Sequence, residues 1–283
     1  MRKFYLHTYD KSYSFDLNGT RALATEPSGL GNTFQTSYKE SDKGNHIANV
    51  KPKFDPITLK VYFNADGTDG YVNYKGLLSF LAMCGMSKFI FEYDDGVTDK
   101  YCDVVLKSIP KSEINAEGVF METLTLERQT YWYEVIDEEF VFSQTNATPV
   151  FPLEFSFGFQ GFMFNNERVV KNAFFAPAPV LLKISGSITT DLHIYIKDKA
   201  GVVLSEISIS EDLPAGSVIF IDPTTKKITI TDASGATSNG YAITDKNKQS
   251  FLYLPQGEYT LGANIISGAV GKIEISIKRY LFD

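Results

Sequence analysis

Leu192-His193-Ile194-Tyr195-Ile196-Lys197, followed at once by Asp198-Lys199-Ala200-Gly201, decides the fold of this chain. Apolar and polar side chains alternate with the period of a strand that has one dry and one wet face, and the tetrad after it has turn chemistry. Lys272-Ile273-Glu274-Ile275-Ser276-Ile277-Lys278 repeats the pattern near the end of the sequence. Residues 181–188, 202–209, 217–221, 227–231, 251–254 and 257–263 read as further strands, and Phe155-Ser156-Phe157-Gly158-Phe159 and Phe162-Met163-Phe164 alternate ahead of them. Roughly ten short strands with a turn every 8–12 residues and no helical period predict an antiparallel β-sandwich.

Upstream the pattern is also β, with one interruption. Residues 57–63 alternate and stop at Asn64-Ala65-Asp66-Gly67, and residues 89–93 stop at Asp94-Asp95-Gly96. Residues 101–109 and 119–126 read as two more strands around Asn115-Ala116-Glu117-Gly118. Between them, apolar residues at 74, 77, 78, 81 and 82 fall on one face of a helix. Asn73 is its expected N-cap and Gly85, after Cys84, its expected stop. The first half closes with Thr130-Tyr131-Trp132-Tyr133-Glu134; Asp137-Glu138-Glu139 reads as a solvated linker face, and Ser143 to Pro149 is polar. These shifts place a boundary near residue 138, dividing the chain into domains 1–137 and 138–283.

Composition excludes several classes. With 283 residues, 43% hydrophobic and 22% charged, the chain is globular in type and long enough for two domains. Aromatic residues reach 14%, which favours pleated, half-buried surfaces. Apolar runs such as Val180-Leu181-Leu182 fall far short of a membrane span, and Met1 to Lys11 lacks the apolar segment of an export signal. The formal charge is −7, of which −5 lies up to Glu138 and −2 beyond, so no half has the basic excess that phosphate contacts require. Cys84 and Cys102 read as buried thiols, and with His7, His46 and His193 scattered they make no zinc site.

Catalytic patterns are missing. Gly29-Leu30-Gly31 lacks the lysine of a phosphate loop and reads as a tight turn after Pro27-Ser28. Asp94-Asp95-Gly96 and Asp66-Gly67-Thr68-Asp69-Gly70 lack the spaced ligands of a calcium loop. The chain is therefore expected not to be an enzyme and to need no cofactor or metal. A sugar-binding sandwich is the rival reading, with Tyr195, Tyr241, Tyr253 and Tyr259 as stacking candidates, although alternation assigns most of them to packing. The only tryptophan, Trp132, closes the first half and is expected to pack rather than to recognise.

Together these pieces resemble the distal tail proteins of long-tailed phages that infect Gram-positive bacteria. The resemblance rests on Phe15-Asp16-Leu17-Asn18-Gly19, on Gly29-Leu30-Gly31 with Tyr38 after it, and on the helix with Tyr74, Leu77, Leu78, Phe80 and Leu81. It continues through Lys107-Ser108-Ile109-Pro110-Lys111-Ser112-Glu113-Ile114 and Tyr131-Trp132-Tyr133. In the second half, Asp222-Pro223, Leu254-Pro255-Gln256-Gly257 and the last alternating strand agree with the galectin-like sandwich of that family.

The resemblance implies a mainly β fold: an N-terminal sandwich-like domain with one short helix and an extended arm, followed by a galectin-like antiparallel sandwich. It implies a structural hub, hexameric, at the virion tail tip, made in the host cytoplasm. Its partners would be the tail tube protein, the tail-associated protein and receptor-binding or other baseplate proteins, with host cell-wall glycan as a further ligand. Gly29, Leu30, Gly31, Lys111, Glu113, Trp132 and Tyr133 are then structural positions. Tyr38, Lys39, Glu40, Asp42 and Lys43 are arm residues that reach a neighbouring subunit.

Overall fold

The computed structural model describes residues 2–41, 44–63, 69–85, 87–115, 119–142, 164–187, 192–211, 215–265 and 270–281. It divides into two units, Met1–Glu134 with Leu281–Asp283, and Val135–Tyr280. Strand dominates both, a single α-helix is present among the described residues, and the strand pairs are antiparallel. No described helix is long and apolar enough to cross a membrane. Asn64 to Thr68, the Ala116 to Gly118 turn, Asp42, Lys43 and the alternating stretch from Phe155 to Met163 lie outside the described residues.

The first unit contains β1 (Lys3–His7), β2 (Ser14–Asp16), β3 (Leu23–Ser28), β4 (Thr33–Ser41), β5 (Gly44–Lys53), β6 (Ile57–Tyr62), α1 (Gly70–Met83), β7 (Phe89–Asp94), β8 (Asp99–Ser108) and β9 (Met121–Arg128). Seven of these strands pair in the succession β2-β1-β7-β8-β9-β6-β3. Phe4 and Leu6 on β1 share one core with Leu59 and Val61 on β6, so the succession folds over on itself. Leu77, Phe80 and Leu81 of α1 fill that core together with Phe63, Phe91 and Phe120. Strands β4 and β5 pair only with each other.

The helix is capped four residues before the expected N-cap. Asp69 caps it, its carboxylate accepting from the Tyr71 N–H at 2.9 Å. Asn73 instead lies inside the first turns, where its Nδ2 donates to the Phe63 carbonyl at 2.7 Å. Both residue types suit a cap; the buried carbonyl of Phe63 takes Asn73 out of that role. The stop is where the pattern placed it, with Gly85 at φ 65° after Cys84. Asp69→Ala is expected to lower the stability of the first unit by about 1 kcal/mol, read as a shift of the urea midpoint at constant slope.

A second correction concerns the acidic cluster. Asp137, Glu138 and Glu139 sit within β10 (Tyr133–Phe142), not in a linker, and the division between the units falls inside this strand. Asp137 accepts from the Ser276 hydroxyl at 2.5 Å, and Glu139 pairs with Lys272 at 2.8 Å. Interstrand partners neutralise a charge run that, in isolation, looks solvated.

The second unit continues with β11 (Phe164–Asn172), β12 (Ala178–Ser187), β13 (Leu192–Lys197), β14 (Val203–Ile209), β15 (Val218–Asp222), β16 (Lys227–Thr231), β17 (Thr237–Asn239), β18 (Leu252–Leu254), β19 (Gly257–Ile265) and β20 (Val270–Tyr280). One sheet runs β17-β16-β15-β12-β20-β10 and the other β11-β19-β13-β14. Their inner faces make one aliphatic core: Val180, Leu182 and Ile184 with Ile273, Ile275 and Ile277 from the first sheet, Ile194, Ile196, Ile207 and Leu261 from the second. This is the sandwich that the alternation predicts.

Candidate functional site

Strands β4 and β5 form a two-stranded arm whose two faces differ. Register pairs Phe34 with Pro52, Thr36 with Val50 and Tyr38 with Ile47, and these side chains share one face. Phe34 is 42% exposed, Val50 50%, Tyr38 60% and Ile47 66%. The other face pairs Gln35 with Lys51 and Ser37 with Asn49. A two-stranded ribbon is marginal in water unless something covers its apolar side. The arm is thus built to be covered.

Its root is fixed to the body of the unit. Gly29 takes φ +73°, and a Cβ there would lie 2.0 Å from the Pro56 carbonyl oxygen, so the chain entering the arm presses on the chain leaving it. The Trp132 indole Nε1 donates to the Leu30 carbonyl at 2.5 Å. Arg128, buried, donates from one guanidinium nitrogen to the Gly31 carbonyl at 3.1 Å and from the other to Asn32 Oδ1 at 3.2 Å. Its guanidinium lies over the rings of Phe54 and Trp132, 5.2 and 6.0 Å from their centroids. Burial pulls its pKa down from the usual arginine range. Thr33 bridges to the exit strand, its hydroxyl 2.6 Å from the Lys53 carbonyl and 2.9 Å from Asp55.

Against this geometry stand the comparisons. Residues 3–129 match the family model described as distal tail protein, N-terminal domain. The first unit is a distal tail protein domain. A chain of the phage P2 baseplate in its activated conformation with calcium superposes with a TM-score of 0.72 at 16% identity, over 99% of each chain. The Dit protein of SPP1, described as a paradigm of the hub adsorption apparatus in Gram-positive infecting phages, superposes at 0.55 and 12% identity, over 98% of each. At such identities the likeness is one of fold, and it extends over both units. A search of the curated proteins returns no match.

Within the distal tail domain, the residues singled out from the sequence fall into three places. Gly29, Leu30, Gly31 and Trp132 come together at the root of the arm. Tyr38, Lys39 and Glu40 lie on β4. Lys111 and Glu113 instead meet the start of α1: Glu113 accepts from the Tyr71 hydroxyl at 2.7 Å, and the Lys111 ammonium lies 5.4 Å from the Tyr71 ring centroid. Tyr133 is buried, donating from its hydroxyl to Asp103 at 2.9 Å, and Asp103 pairs with Lys88 at 2.5 Å. Burial, and then the Asp103 charge, push the phenol well above its usual range. Tyr133 is a fastening, not a reactive group.

Reading the sequence missed Arg128, Val50 and Ile47. Arg128 stands at the end of an alternating strand, where a charged residue on the inward register was the only signal. The alternation of Phe34, Thr36 and Tyr38 was visible, but the charged run from Lys39 to Lys43 masked it.

The stacking candidates of the second unit all hydrogen-bond through their hydroxyls, while Tyr241 and Tyr253 keep exposed side chains. Tyr195 is buried over Gly262, where a Cβ would come within 2.5 Å of its ring, and its hydroxyl donates to Glu167 at 3.0 Å. Tyr241, Tyr253 and Tyr259 donate to the carbonyls of Lys226, Pro223 and Gln256 at 2.7, 3.0 and 3.0 Å. Cys102 is buried and Cys84 half-buried, both as free thiols. Among the described residues, no group of three acidic, histidine or cysteine side chains is placed to hold a metal.

Proposed function

We propose that this protein is the structural hub of a phage tail tip or baseplate, a ring, hexameric by family analogy, located in the virion. Its task is to join the tail tube to the tail-associated and receptor-binding proteins; it carries out no catalysis. The distal tail domain forms the ring and the second unit, a galectin-like sandwich, faces the outer partners. The observation that carries this reading is the family match over residues 3–129 combined with an arm that exposes Tyr38, Ile47 and Val50. An apolar ribbon of this kind stays soluble by lying on a neighbour, and in a ring every subunit supplies one. The P2 and SPP1 chains of the same fold come from a baseplate and a hub adsorption apparatus, which supports placing this chain in such an assembly.

The test is assembly of the full chain. Light scattering and negative-stain images should show rings for the natural sequence. Tyr38→Asp with Ile47→Asp should give a monomer whose melting temperature stays within a few degrees, because both side chains are already exposed. A natural chain that remains monomeric at tens of micromolar, with no rings on the grids alone or when co-produced with the adjoining tail protein, would overturn the hub reading.

A further inference from the structure

The apolar face of the arm needs a surface to lie on, and the same unit carries one at its far end. Leu23, Tyr62 and Met121 stand directly opposite one another on β3, β6 and β9. They form an outward row, because their sequence neighbours Ala24, Val61 and Glu122 are buried. Leu23 and Met121 are exposed, and so are Val72 on the first turn of α1 and Ile114. That turn is held at this end of the strands: Asn73 donates to the Phe63 carbonyl, and the Tyr71 ring lies 4.8 Å from that of Phe120.

The root of the arm is at the opposite end of the same three strands, beside Ser28, Ile57 and Arg128. An apolar projection at one end and an apolar row at the other are two different patches. Two such patches generate head-to-tail contacts, which close into rings when the rotation permits.

Charge agrees with this pairing. Residues 33–53 carry four lysines against two acids, whereas the rest of residues 1–134 carries eleven basic side chains against sixteen acidic ones. Asp69 and Glu113 stand at the α1 end of the row, close to Tyr71, against the single lysine Lys111 over the Tyr71 ring. A basic arm is therefore drawn to the acidic body of another copy while its apolar face supplies the contact.

We infer that the Leu23–Tyr62–Met121 row receives the apolar face of the arm from a second copy of this chain. The inference rests on the ring reading above and adds where the arm goes. Two double variants of the full chain test it, Tyr38→Asp/Ile47→Asp on the arm and Leu23→Asp/Met121→Asp on the row. Each alone should lose the ring and give a monomer. Mixed in equal amounts they should give particles of two copies and no rings, since only the intact arm of one variant and the intact row of the other can meet. A disulfide trap, Tyr38→Cys with Met121→Cys, should cross-link copies into a ladder under oxidation where either cysteine alone does not.

If the row variant assembles like the natural chain while the arm variant does not, the receiving surface is wrong and the ring reading stands. If the natural chain forms no ring and the trap gives no ladder, both fail together. Should the row variant misfold, the trap decides by itself, and an absent ladder in assembled rings overturns the inference.

Discussion

Trp132→Ala is expected to remove about 3–5 kcal/mol from the stability of the first unit, the usual cost of deleting a buried indole. The ring of Trp132 packs on Phe91 and Tyr93 at centroid distances of 5.9 and 6.1 Å, beneath the Arg128 guanidinium. Its Nε1 donates to the Leu30 carbonyl, and its own carbonyl accepts from the Leu281 N–H at 2.8 Å. The side chain thus serves the core and the root of the arm at once. Trp132→Phe separates the two contributions: much of the packing stays, while the half-buried Leu30 carbonyl loses its donor at a cost of about 1 kcal/mol. Urea unfolding followed by far-UV circular dichroism measures both, because Trp132 is the only tryptophan and its fluorescence disappears with it. A loss within about 0.5 kcal/mol for the alanine variant is what an exposed indole would give. Such a result, with lost binding to cell-wall glycans, would return the protein to the sugar-binding reading.

How much of this was legible in the sequence depended on how far apart the partners of each residue lie. Local alternation was enough for the sandwich, because Ile194, Ile196, Ile273, Ile275 and Ile277 point inward by period alone. It failed for β11, whose residues Asn165-Asn166-Glu167-Arg168 break the apolar pattern. That strand is held instead by nine register pairs with β19. It failed again for Asp137-Glu138-Glu139, where the neutralising Lys272 is more than a hundred residues away. The root of the arm was legible as separate fragments only. Gly29-Leu30-Gly31 and Trp132 were both visible, but the bond between them spans 102 residues, and no spacing rule reports it.

Gly29→Ala makes the largest demand on the backbone at this root. At φ +73° an L-residue pays roughly 1–2 kcal/mol for the left-handed conformation. The larger problem is steric: the new methyl would sit 2.0 Å from the Pro56 carbonyl oxygen and 2.8 Å from its carbonyl carbon. Those are backbone atoms, which no rotamer change can move, so residues 29 and 56 must separate. Residue 56 follows the exit strand of the arm and precedes Ile57, which is fully buried. Separation therefore either pulls Ile57 from the core or swings the arm away from Arg128 and Trp132. The expected loss is about 3 kcal/mol or more, since strain of this kind adds to overpacking that by itself costs about 1–3 kcal/mol. Gly31 is the internal control, two residues away. It has no positive φ, and a methyl added there would meet nothing within 4 Å, so Gly31→Ala should leave stability within about 0.5 kcal/mol. Thermal and urea denaturation of the pair measures the difference, and ring formation by light scattering reports the arm. Equal behaviour of the two variants would show that the entry and exit of the arm do not press on each other, and the clamp at its root would have to be abandoned.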